Sequence, residues 1–119
     1  MPSCLRRWNL TSPDREYLRH ILESARRVVS YVANMTLDEF LGSSLTQDAV
    51  LHRLSVMGEA AKWVSQETRD QLPGVDWRRM VAMRNFVIHE YWSVDLNVTW
   101  DTVHEKMAPL IAAIEAYLQ

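Results

Sequence analysis

Residues 77–91 are the most informative stretch of this chain, and they read WRRMVAMRNFVIHEY. Apolar residues recur there at helical spacing and predict one apolar stripe along a helix: Trp77, Met80, Val81, Ile88 and Tyr91. At about 100° per residue, Arg84 falls in the middle of that stripe. Because a guanidinium keeps its proton, a buried one needs acceptor partners. Arg84 is therefore a candidate functional residue, and a structural ion pair with Glu59 or another carboxylate is the alternative.

Arg84 also opens an R-x4-H-x-Y arrangement that continues through Asn85 to His89 and Tyr91. The arrangement resembles the signature of the HepT-like proteins, a branch of the HEPN superfamily of small helical ribonucleases. The resemblance extends over residues 13–118 through flanking landmarks: Asp14-Arg15-Glu16-Tyr17-Leu18, Gly58-Glu59-Ala60, Pro73-Gly74-Val75-Asp76-Trp77 and Trp100. It implies an all-α, HEPN-like antiparallel bundle of four to five helices.

The resemblance also implies an activity, which is that of an endoribonuclease toxin in a type VII toxin-antitoxin system. A metal-independent ribonuclease uses the 2′-hydroxyl of RNA as its nucleophile, so DNA should be refused and a 2′,3′-cyclic phosphate should form. His89 would transfer the proton, since histidine changes charge most easily near neutral pH. Arg84 would neutralise charge on the phosphate. Asn85 lies one turn before His89 and could orient the ring or the phosphate, and Glu59 is a supporting residue that could pair with Arg84.

A partner is implied as well. HepT-like toxins are paired with an MntA-type minimal nucleotidyltransferase, which acts as antitoxin by adding AMP to the motif tyrosine. Tyr91 is the matching position, and AMP phosphates two residues from His89 would bring charge and bulk into the RNA cleft. Tyr91 is expected to be exposed, because helical periodicity is lost in the residues that follow it.

The alternative function is a non-catalytic HEPN dimer that binds nucleotide or docks a nucleotidyltransferase. Taken singly, His89 is more often a residue near a helix C-terminus than a catalyst, and Tyr91 more often a half-buried core aromatic. The presence of Arg84 and His89 together favours cleavage. Arg78 and Arg79 lie close enough to the motif to help hold RNA.

Composition gives independent bounds. The 119 residues predict an N-terminal extension at 1–12 and one helical domain at 13–119. A formal net charge of −2 indicates that RNA binding must come from a local basic site. Cys4 alone, with no signal peptide and no long apolar run, favours a cytoplasmic protein without membrane association. No cofactor is expected, because the remaining histidines lack ligand spacing: His20, His52 and His104.

Helix boundaries follow from capping residues and apolar spacing. Ser12-Pro13 predicts the start of the first helix, whose face carries Leu18, Ile21, Leu22, Ala25, Val28, Val29 and Val32. Thr36 and Glu39 predict a capping box for a short helix that ends near Gly42. Thr46 is the predicted cap of the third helix, which Pro73-Gly74 would end. Its apolar face carries Val50, Leu54, Met57, Ala61 and Val64.

The last two helices have caps of their own. Asp76 should cap the motif helix, and Asp95 or Asn97 the last one. Pro109 would either kink that last helix or displace its start. The apolar face of the last helix carries Trp100, Val103, Met107, Leu110, Ile114 and Tyr117.

Two features of the motif helix predict a homodimer. Met83 and Phe86 lie opposite the Trp77 stripe, so the helix is apolar on nearly every side and needs cover on both. Arg84 and His89, five residues apart, lie about 140° apart around a helix axis. Either the helix ends before His89, or groups from two protomers converge. Since HEPN relatives are dimers with composite sites, the resemblance favours convergence.

Overall fold

The computed structural model describes residues 13–119, and within them it contains helices and no strand. The predicted all-α class is therefore confirmed. The predicted extension at 1–12, with Ser12 and Cys4, lies outside the described residues. The elements are α1 (Pro13–Val32), α2 (Leu37–Leu41), α3 (Ser44–Trp63), α4 (Gln66–Asp70), α5 (Trp77–His89), a 3-10 turn (Tyr91–Ser93) and α6 (Leu96–Leu118).

The long helices α1, α3 and α6 form the apolar core. Contacts between their ends show that α1 runs antiparallel to both neighbours. Asp14 at its start meets Ser65 just after α3, and Arg15 donates to the carbonyl of Leu118 at the end of α6. The predicted apolar faces are buried with few exceptions, among them Val29, which is exposed. The fully buried large side chains include Leu18, Ile21, Phe40, Met57 and Ile114.

Most predicted caps are present. Thr36 and Glu39 form the predicted reciprocal capping box, and Gly42 ends α2. The Asp76 side chain accepts from the Arg79 amide, and Asp95 rather than Asn97 caps α6. These are the places where a short acceptor side chain precedes a helical apolar pattern, and so local sequence suffices.

Two boundary predictions are wrong, and one of the two alternatives for Pro109 is excluded. Ser43, not Thr46, caps α3, and its hydroxyl accepts from the Thr46 amide instead. The helix does not continue to Pro73, because Val64 adopts an extended conformation and Ser65 starts the separate helix α4. In α6 the helix passes through Pro109 and begins at Leu96, so that proline does not displace its start.

Asp14 explains why the chain breaks after α3. Its carboxylate accepts hydrogen bonds from the amide of Ser65, the hydroxyl of Ser65 and the hydroxyl of Thr68, which lies 2.6 Å away. The first turn of α1 therefore binds the start of α4, and this long-range contact turns the chain toward α5.

The motif helix α5 packs mainly on α3 and leaves a groove of about 210 Å³ between itself and α6. Four methionines line that groove: Met57, Met80, Met83 and Met107. The face of α5 that lines this groove is thus less well covered than the face that packs on α3. Within the described residues, no helix combines the length and apolar character that crossing a membrane needs.

Candidate active site

The contact between α3 and α5 is closest at Gly58. A Cβ atom there would lie 2.3 Å from the Cβ of Arg84 and 2.5 Å from the carbonyl oxygen of Met80. Side chains never approach backbone so closely, so only glycine allows the two helices to meet at this distance. The stem of Arg84 consequently lies against the backbone of α3, at a position that would otherwise hold an apolar core residue.

The buried face of α5 differs from the predicted stripe at Ile88 and at Tyr91, which lies beyond the helix and is 41% exposed. Trp77 and Val87 are the buried residues of this helix, and Met80 and Val81 are half-buried. Ile88, predicted to belong to the stripe, is 53% exposed, and so that assignment is wrong. Val87 takes the inward position because it follows Arg84 by three residues and Met80 by seven. These spacings place all three residues on the face of α5 that meets α3.

The guanidinium of Arg84 has two described partners. Its Nε lies 3.0 Å from Glu59 Oε2, and its Nη1 donates to Asn85 Oδ1 at 2.9 Å. The alternative in which Arg84 pairs with Glu59 is therefore present in the fold. Glu59 Oε2 is buried yet has no aligned hydrogen-bond donor, so the contact with Arg84 is an ion pair without hydrogen-bond geometry. Glu59 Oε1 accepts from the Trp63 indole at 3.2 Å.

This arrangement leaves Arg84 charged and partly accessible, with its side chain 27% exposed. The described contacts of Arg84 involve Nε and Nη1, and Nη2 has no hydrogen-bond partner among residues 13–119. An arginine fork held in this way matches the geometry of a phosphate group.

Asn85 and His89 form the outer face of the same helix. Both are exposed, and at a spacing of four residues they lie on one side of α5. Arg78 is also exposed and lies on that side, since seven residues separate it from Asn85. The hydrogen bond from Arg84 to Asn85 brings the guanidinium toward this outer face.

The end of α5 excludes one of the two alternatives left open by the sequence, namely that the helix ends before His89. Helix α5 includes His89 as its last residue, so the helix does not end before it. Arg84 faces α3, whereas His89 points about 140° away. The chain therefore brings Arg84, Asn85 and Glu59 together, whereas His89 points away from Arg84.

Tyr91 lies just beyond α5, as expected from the loss of periodicity. It begins the 3-10 turn at Tyr91–Ser93 and is 41% exposed. Its hydroxyl donates a hydrogen bond to Asp48 Oδ1 in the first part of α3. This hydrogen bond, reinforced by partial burial and by the negative charge of Asp48, raises the pKa of the Tyr91 phenol.

Asp48 is a site residue that the sequence reasoning missed, although a signal for it exists. Asp48 and Glu59 are eleven residues apart and so lie within about 20° of each other on α3. Asp48 precedes Glu59 by three helical turns, and Tyr91 follows Arg84 by about two. Because α3 and α5 are antiparallel, Asp48 and Tyr91 face each other when Glu59 faces Arg84. Recognising this requires knowing that the two helices pair. Among the described residues, no group of three or more His, Cys, Asp or Glu side chains is placed to hold a metal ion.

Comparison with known proteins identifies the family of this chain. A family model described as Ribonuclease HepT-like matches residues 21–117. The chain is 31% identical over 101 residues to the Methanocaldococcus jannaschii protein named Putative RNase MJ1380, covering 85% of this chain and 93% of that protein. It is 33% identical over 101 residues to the protein named Probable ribonuclease HepT of Thermococcus cleftensis, covering 85% and 92%.

A second protein of Methanocaldococcus jannaschii, named Putative RNase MJ0127, is 34% identical over 105 residues, which cover 88% of this chain and 87% of that protein. No solved structure matches the chain at a significant level. The fold and the motif thus define a small helical ribonuclease. The chain belongs to the HepT-like ribonuclease family, and the predicted enzyme class is confirmed.

Proposed function

We propose that this protein is a metal-independent endoribonuclease toxin in which Arg84 and His89 act on a phosphate of RNA. The observation that carries the proposal is the position of the Arg84 guanidinium, which contacts Glu59 and Asn85 and remains 27% exposed. His89 would take the 2′-hydroxyl proton or supply one to the leaving 5′-oxygen, and Arg84 would neutralise the phosphate. Asn85 would orient the ring or the phosphate.

We further propose that the working unit is a homodimer. The two catalytic side chains point about 140° apart in one chain, so a second copy would have to supply the complementary group. Exposed apolar side chains next to the motif support such an interface: Phe86, Ile88, Trp92 and Val98. A stable interface of this kind should bury at least about 1,200 Å² in total, and sedimentation showing a monomer at micromolar concentration contradicts it.

Tyr91 is, in this proposal, the residue through which an MntA-type nucleotidyltransferase silences the toxin by adding AMP. Its exposure and its place outside α5 support access by another enzyme. Each AMP would add about one negative charge and a large base beside the RNA cleft, so RNA would be repelled and blocked. Tyr91→Phe should then remain toxic when the nucleotidyltransferase and ATP are present.

The central test is cleavage of a labelled RNA and of its DNA equivalent, both with a chelator present. The parent protein should cut only the RNA and leave 2′,3′-cyclic phosphate ends. His89→Ala should cut at least about 100-fold more slowly, which is the lower range for losing a general acid or base.

The matched control is His52→Ala, because His52 is exposed on α3 and lies outside the motif. It should cut RNA at the parent rate. If His89→Ala also cuts at the parent rate while keeping its fold, His89 is structural, and the non-catalytic dimer that binds nucleotide or docks a nucleotidyltransferase becomes the better explanation.

A further inference from the structure

The contact between Asp48 and Tyr91 joins two residues that the ribonuclease chemistry does not use. Resting on the proposed AMP transfer to Tyr91, we propose that Asp48 is the residue that accepts the phenolic proton when this tyrosine is modified. Asp48 would thus be a catalytic group that the target chain itself contributes to the reaction of its partner enzyme.

The first support is geometric. The Tyr91 hydroxyl already donates its proton toward Asp48 Oδ1, so the proton lies on the path that a general base requires. Both residues are exposed, Asp48 on α3 and Tyr91 on the turn after α5. An incoming nucleotide can therefore reach the phenolic oxygen while the carboxylate stays in contact with its proton.

The second support is that no cation competes with Tyr91 for Asp48. The other carboxylate on this face of α3, Glu59, is paired with Arg84. Asp48 forms no ion pair with any Lys, Arg or His among residues 13–119. The Asp48 carboxylate is therefore the one on this face whose described partner is the phenol.

The third support is chemical need. The contact with Asp48 raises the pKa of Tyr91, so the phenol is neutral near neutral pH. A neutral phenol is a weak nucleophile and must lose its proton as it attacks, which is the step that a positioned base assists.

The step balances as follows. The phenolic oxygen of Tyr91 attacks the α-phosphorus of ATP and forms a new O–P bond. The bond between that phosphorus and the oxygen bridging to the β-phosphate breaks, and pyrophosphate leaves with the electron pair. The phenolic proton passes to the Asp48 carboxylate and then to water. The products are a tyrosine–AMP phosphodiester and pyrophosphate.

The test measures the rate of AMP transfer from ATP labelled at the α-phosphate, catalysed by an MntA-type nucleotidyltransferase. Asp48→Asn keeps an oxygen that accepts the phenolic hydrogen bond but cannot take up the proton. We expect it to slow labelling by at least about 100-fold, as for removal of a general base. The rate of the variant should also rise steeply with pH as the phenol ionises, whereas the parent rate should be flatter.

Asp101→Asn is the control, because Asp101 is an exposed aspartate on α6 and its substitution makes the same charge change. It should be labelled at the parent rate. If Asp48→Asn is labelled as fast as the parent, with the same pH profile, Asp48 only tethers the tyrosine and the proposal is overturned.

Two further outcomes separate this inference from the function on which it rests. If Tyr91→Phe is labelled as well as the parent, or the parent is not labelled at all, the tyrosine switch itself fails. The contact can be tested without any partner by spectroscopic titration of the phenols, with Tyr91→Phe identifying the Tyr91 signal. Tyr91 should titrate at lower pH in Asp48→Asn than in the parent, and an unchanged titration shows that the two side chains do not interact.

Discussion

Helices α1 and α5 bury very different surfaces. Helix α1 has seven buried residues among its 20, and all of them except Ser24 are apolar. Helix α5 has two buried residues among its 13, Trp77 and Val87. Arg84 lies on the face of this helix that meets α3. The bundle of α1, α3 and α6 therefore supplies the core, whereas α5 is held to α3 by a close backbone approach at Gly58 and carries the candidate site residues Arg84, Asn85 and His89.

The largest expected effect comes from truncating isoleucine in the two regions. Ile21 in α1 is 0% exposed and Ile88 in α5 is 53% exposed. Ile21→Ala should lower the free energy of unfolding by roughly 4 kcal/mol, through lost burial and a new cavity. Ile88→Ala should change it by less than about 0.5 kcal/mol. Urea denaturation at several protein concentrations measures both.

A loss at Ile88 that is present at high protein concentration and disappears as the protein is diluted would show that a second copy covers this side chain. Equal losses at Ile21 and Ile88, independent of concentration, would contradict the distinction between the two helices.

The second prediction concerns the close approach that holds α5. Gly58→Ala should lower the free energy of unfolding by about 3 kcal/mol, because the new methyl group would overlap the Met80 carbonyl and the Arg84 stem. It should also reduce RNA cleavage, since α5 must move away from α3 and take Arg84 with it. Gly74→Ala is the matched control, because nothing lies within 4 Å of its added Cβ.

Denaturation and RNA cleavage should be measured on both glycine variants. If Gly58→Ala is as stable and as active as Gly74→Ala, the two helices are farther apart in solution than the fold requires.

The smallest effect is the pH dependence of the Tyr91 contact. The hydrogen bond to Asp48 raises the folded-state pKa of Tyr91 above that of the unfolded chain, which is about 10. The folded protein therefore binds this proton more tightly. The stabilisation is fully present below about pH 10 and is lost as pH rises through the higher folded-state pKa.

Parent and Tyr91→Phe should thus differ in the free energy of unfolding near about pH 8 and converge at strongly alkaline pH. The difference should be small, because Tyr91 is partly exposed to solvent. A difference that increases with pH would have the wrong sign and would refute the contact. Phe is the matched variant here because it removes only the hydroxyl.

Much of the fold could be predicted from local sequence. The capping box at Thr36 and Glu39 and the caps at Asp76 and Asp95 were predictable because a cap bonds residues two or three positions away. The end of α3 was not, since it depends on Asp14, which is 51 residues from Ser65. A similar reason applies to Val87 and Ile88, because packing against α3 determines which of the two faces inward.

The candidate site divides in the same way. The sequence by itself determined that Arg84 stands at a core position, that it has Asn85 beside it, and that His89 and Tyr91 follow at the spacing of a HepT-like ribonuclease. Helical geometry gives the first two directly, and the third is what the resemblance to the family implies.

Only the tertiary structure decided what those residues contact. The antiparallel pairing of α3 with α5, made possible by the missing side chain at Gly58, places Glu59 on Arg84 and Asp48 on Tyr91. The spacing of residues within a single helix cannot predict these contacts. They depend on the distance and register between two helices, which packing determines.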